Sequence, residues 1–140
     1  MTSTRLAEFA AAQDPVYDRV RRELAAGHKE THWIWFIFPQ LAALGRSATS
    51  KRFGLASKAE AREYFEHPVL GARLKECVGL LLAAPRGEIE AIMGFPDDLK
   101  FRSSMTLFAE AAPEEPVFAQ ALQKFFGGEK DPLTLRLLKS

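Results

Sequence analysis

Apolar positions recur at helical spacing along most of the chain. Leu6, Phe9, Ala10 and Gln13 share one face of a predicted helix over roughly Thr4 to Gln13. Asp14-Pro15 predicts the opening of a second, with Asp14 as N-cap and Pro15 in the first turn. Its apolar face is Val16 or Tyr17, Val20 and Leu24, and Gly27 closes it. Ser57-Lys58-Ala59-Glu60 reads as a capping box that starts a helix ending near Glu66, where His67-Pro68 breaks it. Leu70, Leu74, Cys77, Val78 and Leu81 then form a stripe that runs up to Pro85. A short helix over Glu88 to Met93 stops at Gly94. Pro96-Asp97-Asp98 opens another, with Phe101, Met105, Phe108 and Ala112 on one face. Pro116 opens a helix carrying Val117, Leu122, Phe125 and Phe126, and Gly127-Gly128 ends it. Asp131-Pro132 caps a last turn or two, through Leu138.

Two stretches break the rhythm. Trp33 to Phe38 is a continuous aromatic and β-branched run. Its content suits a strand, but no second strand candidate exists to pair with it. A helix bent or ended at Pro39 is expected instead. Gly45 to Ala56 is the longest stretch without periodicity, and Arg46, Lys51 and Arg52 make it basic. The pattern as a whole predicts an all-α fold: one compact domain over residues 1–140, built of about six to eight short helices.

Composition narrows the class. A chain of 140 residues with 47% hydrophobic and 26% charged residues fits one soluble domain with one core. Its net charge of +1 drives no general attraction to nucleic acid or to an acidic membrane. A single cysteine excludes an internal disulfide framework and fits a reducing compartment. The first residues are too polar for a secretory signal, and the longest apolar run is far short of a bilayer span. A cytoplasmic protein is expected, with no membrane partner and no nucleic acid.

Several motifs, in order, resemble a known family. They are HWIWFIFPQLAALGRS, RFGL, HPVLGARL, GFPDDLKFRSSMTLF and FFGGEKDPLTLRLL. The chain is similar, from about Leu6 to Leu138, to the bacterial family catalogued as domain of unknown function 1810. That resemblance implies a mainly α-helical single domain and no particular activity. Some members carry a calpastatin label, but protease inhibitors of that name are disordered and this composition is globular.

Four groups of residues could carry chemistry. His32 sits beside Trp33 and Trp35, with Gln40 close behind. On a helix His32 would share a face with Trp35 and Phe36 and could hold a ring or act as an acid or base. The plainer reading is a satisfied histidine at the edge of a core. Arg46 and Ser47 follow a glycine, with Lys51 and Arg52 nearby, and could present a guanidinium and a hydroxyl to an anion. A solvated basic loop would look the same. Lys100, Arg102, Ser103, Ser104 and Thr106 crowd cations and hydroxyls onto one helix, where hydroxyls are mediocre helix formers. A structural hydrogen-bond network is the alternative. His28 and His32 are four apart, but Glu does not follow the first His and few other ligands exist, so no metal site is expected. Cys77 falls on an apolar stripe and reads as core.

From these groups the function expected is the binding of a small anionic ligand, nucleotide- or phosphate-bearing, in a polar pocket lined by aromatics. The residues expected to hold it are His32, Trp33, Trp35, Gln40, Arg46, Ser47, Arg52, Lys100, Arg102, Ser103 and Ser104, with His32 the one candidate for acid–base work. The aromatic run, the Gly45-Arg46-Ser47 loop and the Lys100–Thr106 segment would then meet in space. A non-enzymatic helical interaction module is the other reading. No particular cofactor, reaction or oligomeric state follows from the sequence.

Overall fold

The computed structural model describes residues 4–84 and 88–139. Ten α-helices follow one another: α1 Thr4–Gln13, α2 Tyr17–Ala26, α3 Ile34–Ile37, α4 Ala48–Arg52, α5 Lys58–Glu66, α6 Leu70–Ala83, α7 Ile89–Met93, α8 Asp97–Ala111, α9 Pro116–Phe126 and α10 Pro132–Leu138. A 3₁₀ turn, Ala42–Leu44, lies between α3 and α4. The fold is all-α, and no strand forms among the described residues. The nearest thing to one is an isolated parallel bridge between Leu41 and Leu55. The helix count exceeds the expected six to eight because segments as short as four or five residues are helical.

The stop signals act as predicted. Gly27 and Gly127 close α2 and α9 in the left-handed conformation, at φ 71° and 62°. Ser57 caps α5 by accepting the Glu60 N–H, and Asp131 caps α10 by accepting that of Thr134. Three boundaries differ. Asp14 does not cap α2; the helix starts at Tyr17 behind Val16, and Asp14 pairs with Arg73 at 2.9 Å. The aromatic run stops before Pro39 as expected, but its helix is a single turn that starts only at Ile34, leaving His32 and Trp33 outside it. The stretch 45–56 is not all loop, because Ser47 and Ser50 cap each other reciprocally and start α4. Pro85, expected to end α6, lies outside the described residues.

Helix α8 is central. It packs against α5, α7, α9 and α10, and also meets α3. Ser103 to Phe108 are all buried, so this helix is enclosed on nearly every side. Rings link the layers, edge to face at Phe9–Tyr64 and tilted at the next two contacts. Phe9 meets Tyr64 at 5.3 Å, Tyr64 meets Phe108 at 5.5 Å, and Phe108 meets Phe118 at 5.5 Å. Phe38, at the end of the aromatic run, meets Phe101 of α8 at 4.8 Å. That contact fixes α3 against α8.

Candidate functional site

The site begins with one buried carboxylate. Glu23, in the last turn of α2, is 6% exposed. It accepts from the backbone N–H of Glu30 (2.8 Å) and Thr31 (3.1 Å), from the Thr31 hydroxyl (2.7 Å), and from the Trp33 indole N–H (2.8 Å). Burial alone would push its carboxyl up. The donors outweigh that and hold it down, to about 2. Residues 28–33 are therefore a pinned, non-helical connection, and the aromatic run enters the core at a fixed place.

Lys29 leaves this connection towards α8. Its backbone N–H donates to the Ile92 carbonyl at 2.7 Å. Its ammonium lies 5.1 Å from the centre of the Trp33 ring and 2.8 Å from the Asp97 carboxylate. The Lys29 side chain is only 5% exposed, so this ion pair is largely desolvated. Asp97 also meets Lys100 at 3.7 Å, and Lys100 lies 5.2 Å from the centre of the Trp35 ring. The order Trp33, Lys29, Asp97, Lys100, Trp35 places two indole–ammonium contacts on either side of a single carboxylate. With the ionised Glu23 on the Trp33 indole, two cations meet two carboxylates along this row, and Lys100, 3.7 Å from Asp97, is the less closely paired cation.

Two hydrogen-bonding groups beside it are unsatisfied. Trp35 Nε1 and Ser104 Oγ are buried and find no partner among the described residues. Ser104 lies one turn beyond Lys100 on the same face of α8. Buried donors of this kind are uncommon and call for a water, an ion or a ligand atom.

The other sequence candidates are already engaged or lie at the surface. Trp33 is 1% exposed and its N–H is taken by Glu23. His32 is exposed. Gln40 is half-buried, and its carbonyl accepts from the Leu55 N–H at 2.9 Å. Arg46 is exposed, while the Ser47 hydroxyl is the N-cap of α4 and accepts the Ser50 N–H at 3.0 Å. Arg52 lies over Phe53 at 4.9 Å and reaches Glu8 at 3.9 Å. Arg102 donates to the carbonyls of Glu129 and Lys130, each at 3.0 Å. Ser103 donates to the Leu99 carbonyl at 3.2 Å and to Asp131 at 3.3 Å, and Thr106 accepts the Asp131 N–H at 2.9 Å. Arg102, Ser103 and Thr106 thus fasten the connection between α9 and α10. Trp35 and Lys100 meet where α3 meets α8, and Ser104 lies one turn along α8 from Lys100.

Sequence reasoning missed Glu23, Lys29 and Asp97 as site residues. A signal existed for Asp97, three residues before Lys100 on a helix; Lys29 and Glu23 carried none, because the chain over 28–33 is not helical. Among the described residues, no group of three His, Cys, Asp or Glu side chains could hold a metal ion. His28 and His32 lose their helical spacing because the chain between them is not helical.

A small all-α domain with a junction lined by indoles and lysines is the class this geometry defines. The chain belongs to the family described as Protein of unknown function (DUF1810), whose model matches residues 3–138. It is also similar to a crystal structure, the conserved hypothetical protein Rv1873 from Mycobacterium tuberculosis. The two share 48% identity over 96% of each chain, with a TM-score of 0.95. No curated protein matches the chain. Among the described residues, no helix is long and apolar enough to cross a membrane.

Proposed function

We propose that the domain binds a small anionic ligand, nucleotide- or phosphate-bearing, at the junction of α3 and α8. The observation that carries this reading is the unpartnered Trp35 Nε1, buried beside a Lys100 ammonium that the ring itself attracts. An anionic oxygen would satisfy that N–H and pair with the Lys100 ammonium, which Asp97 meets only at 3.7 Å because Lys29 takes that carboxylate at 2.8 Å. Ser104 supplies a further donor one turn along the helix. The half-buried Trp35 ring would offer a base a surface to stack on. Of the residues expected from the sequence, Trp35, Lys100 and Ser104 form the contact set. His32 stays the candidate for acid–base work if the ligand is turned over. A cytoplasmic setting fits the lone, buried Cys77.

A second reading, a protein-interaction module, draws on Phe95 and Leu99, which are 71% and 46% exposed next to each other at the start of α8.

The test is a thermal-shift panel of ADP, AMP and inorganic phosphate, followed by titration calorimetry. A phosphate-bearing compound should raise the melting temperature, because binding to the native state stabilises it. Lys100→Ala and Trp35→Phe should remove the effect. The reading fails if no panel member shifts the melting temperature, or if both variants respond as the parent does.

A further inference from the structure

We propose a second, separate site: the cleft between α7, α8 and α9 takes a free organic amine, a primary ammonium on an apolar stem. The cleft encloses about 410 Å³, within the range of small-ligand pockets. Glu88, Glu90 and Asp98 line it on one side and Phe125 and Phe126 on the other. No ion pair joins these three carboxylates to a cation among the described residues.

Asp98 carries the argument. Its side chain is buried, with the residue 7% exposed, and its Oδ1 finds no hydrogen-bond partner among the described residues. The helix dipole at the start of α8 favours a negative charge there. It does not supply a hydrogen to that oxygen. A buried carboxylate oxygen without a donor is costly, and a donor arriving from the cleft would remove the cost.

The cleft has two cations of its own, and both are held away from this task. Lys124 donates to the carbonyls of Leu81 (3.3 Å), Leu82 (2.8 Å) and Ala84 (2.8 Å). An ammonium has three hydrogens, so Lys124 is saturated by the end of α6. Arg102 is tied to the carbonyls of Glu129 and Lys130 and pairs with the Glu129 carboxylate at 3.6 Å. What remains open to a ligand is acceptor capacity and negative charge. The half-buried rings of Phe125 and Phe126, which already carry Lys124 at 5.3 Å and Arg102 at 5.9 Å from their centres, provide an apolar wall for the stem, and Leu99 adds to it. On the α8 helical wheel Asp98 and Arg102 lie opposite Lys100 and Ser104, so this cleft is distinct from the anion site.

Three probes with one stem and three charges test this: phenethylamine, phenethyl alcohol and 3-phenylpropionate, titrated by calorimetry and by amide NMR. The amine should bind, moving the resonances of Asp98, Leu99 and Phe125. The alcohol should bind about tenfold weaker or less, and the carboxylate should not bind. Asp98→Asn should weaken the amine by about tenfold or more. If that variant does not fold, the double variant Glu88→Gln/Glu90→Gln at exposed positions should still lower amine affinity several-fold. Amine binding should persist in Lys100→Ala, which separates failure here from failure of the anion site. The proposal is overturned if the amine binds no tighter than the alcohol, or if a folded Asp98→Asn binds it like the parent. A lysine tripeptide with blocked ends that bound more tightly than the free amine would overturn the assignment to a free ligand.

Discussion

Trp33 donates its indole N–H to the Glu23 carboxylate across 2.8 Å, so the largest fully buried side chain of the core hangs on an acid at the end of α2. The acid also holds the connection between α2 and α3 through three further donors. Packing and electrostatics are therefore coupled at one point, and pH should reach the core through it.

The folded Glu23 carboxyl titrates at about 2, below its usual 4.5. A depressed pKa contributes stability that is present above pH 4.5 and lost as pH falls from 4.5 towards 2. A depression of that size corresponds to about 3 kcal/mol. Glu23→Gln should lower stability at pH 7 by an amount of that order. It should also flatten the acid limb of a plot of urea-unfolding free energy against pH. An unchanged acid limb in the variant would show that other carboxylates govern acid unfolding.

The two tryptophans should separate in a mutational test. Trp33→Ala empties a buried site and removes a donor to Glu23, so it should cost about 3–5 kcal/mol in chemical denaturation. Trp35→Phe keeps most of the ring and deletes an N–H that has no partner, so it should change stability by less than about 1 kcal/mol. Equal losses for the two would mean that the Trp35 N–H is satisfied in solution by a group of the protein.

The helices were readable because their signals are local. Capping residues, closing glycines and 3.6-residue stripes act within a turn or two, and α1, α5, α8 and α9 start and stop close to where those signals fall. α4 was not legible because its stabilising feature is a reciprocal pair, Ser47 with Ser50, that looks like loop composition. The site was half legible. Hydroxyls on α8 announced polar partners, but Ser103 and Thr106 found theirs in Asp131, 28 and 25 residues downstream, which no local pattern indicates. The role of Glu23 depends on a bend between α2 and α3, and pairwise spacing in the sequence does not show a bend.

Two glycines of α6 give opposite expectations. A Cβ at Gly71 would stand 2.0 Å from the Phe65 carbonyl oxygen, a backbone atom at the end of α5 that cannot step aside. Gly71→Ala should cost about 1–3 kcal/mol or more. A Cβ at Gly79 meets nothing within 4 Å. Gly79→Ala should therefore stabilise by up to about 1 kcal/mol through helix propensity. Thermal melts of the two single variants check both signs, and a stable Gly71→Ala protein would contradict the close approach of α5 and α6.

Cys77 should be inert in the native protein. Burial pushes its thiol up to about 12, and it lies on the α6 face turned to the core. The thiolate, which is the reactive form, is then scarce at neutral pH. Labelling with a disulfide reagent should be slow and should accelerate in urea together with unfolding. Rapid labelling without denaturant would place Cys77 at the surface.

Lys100 and Arg102 are neighbours on α8 and should fail in different ways. Arg102 holds two backbone carbonyls of the connection between α9 and α10. Arg102→Ala leaves those carbonyls without their donor and should cost about 1–3 kcal/mol of stability. The affinity for a phosphate-bearing ligand such as ADP should stay close to that of the parent. Lys100→Ala removes a weaker link, because Asp97 keeps its 2.8 Å partner in Lys29. Its stability should fall by less than about 1 kcal/mol, while ligand affinity should fall about tenfold or more. Urea unfolding and calorimetric titration of both variants give the four numbers needed. A variant pair in which Arg102→Ala loses affinity and Lys100→Ala keeps it would move the anion site away from Trp35 and onto the α9–α10 connection.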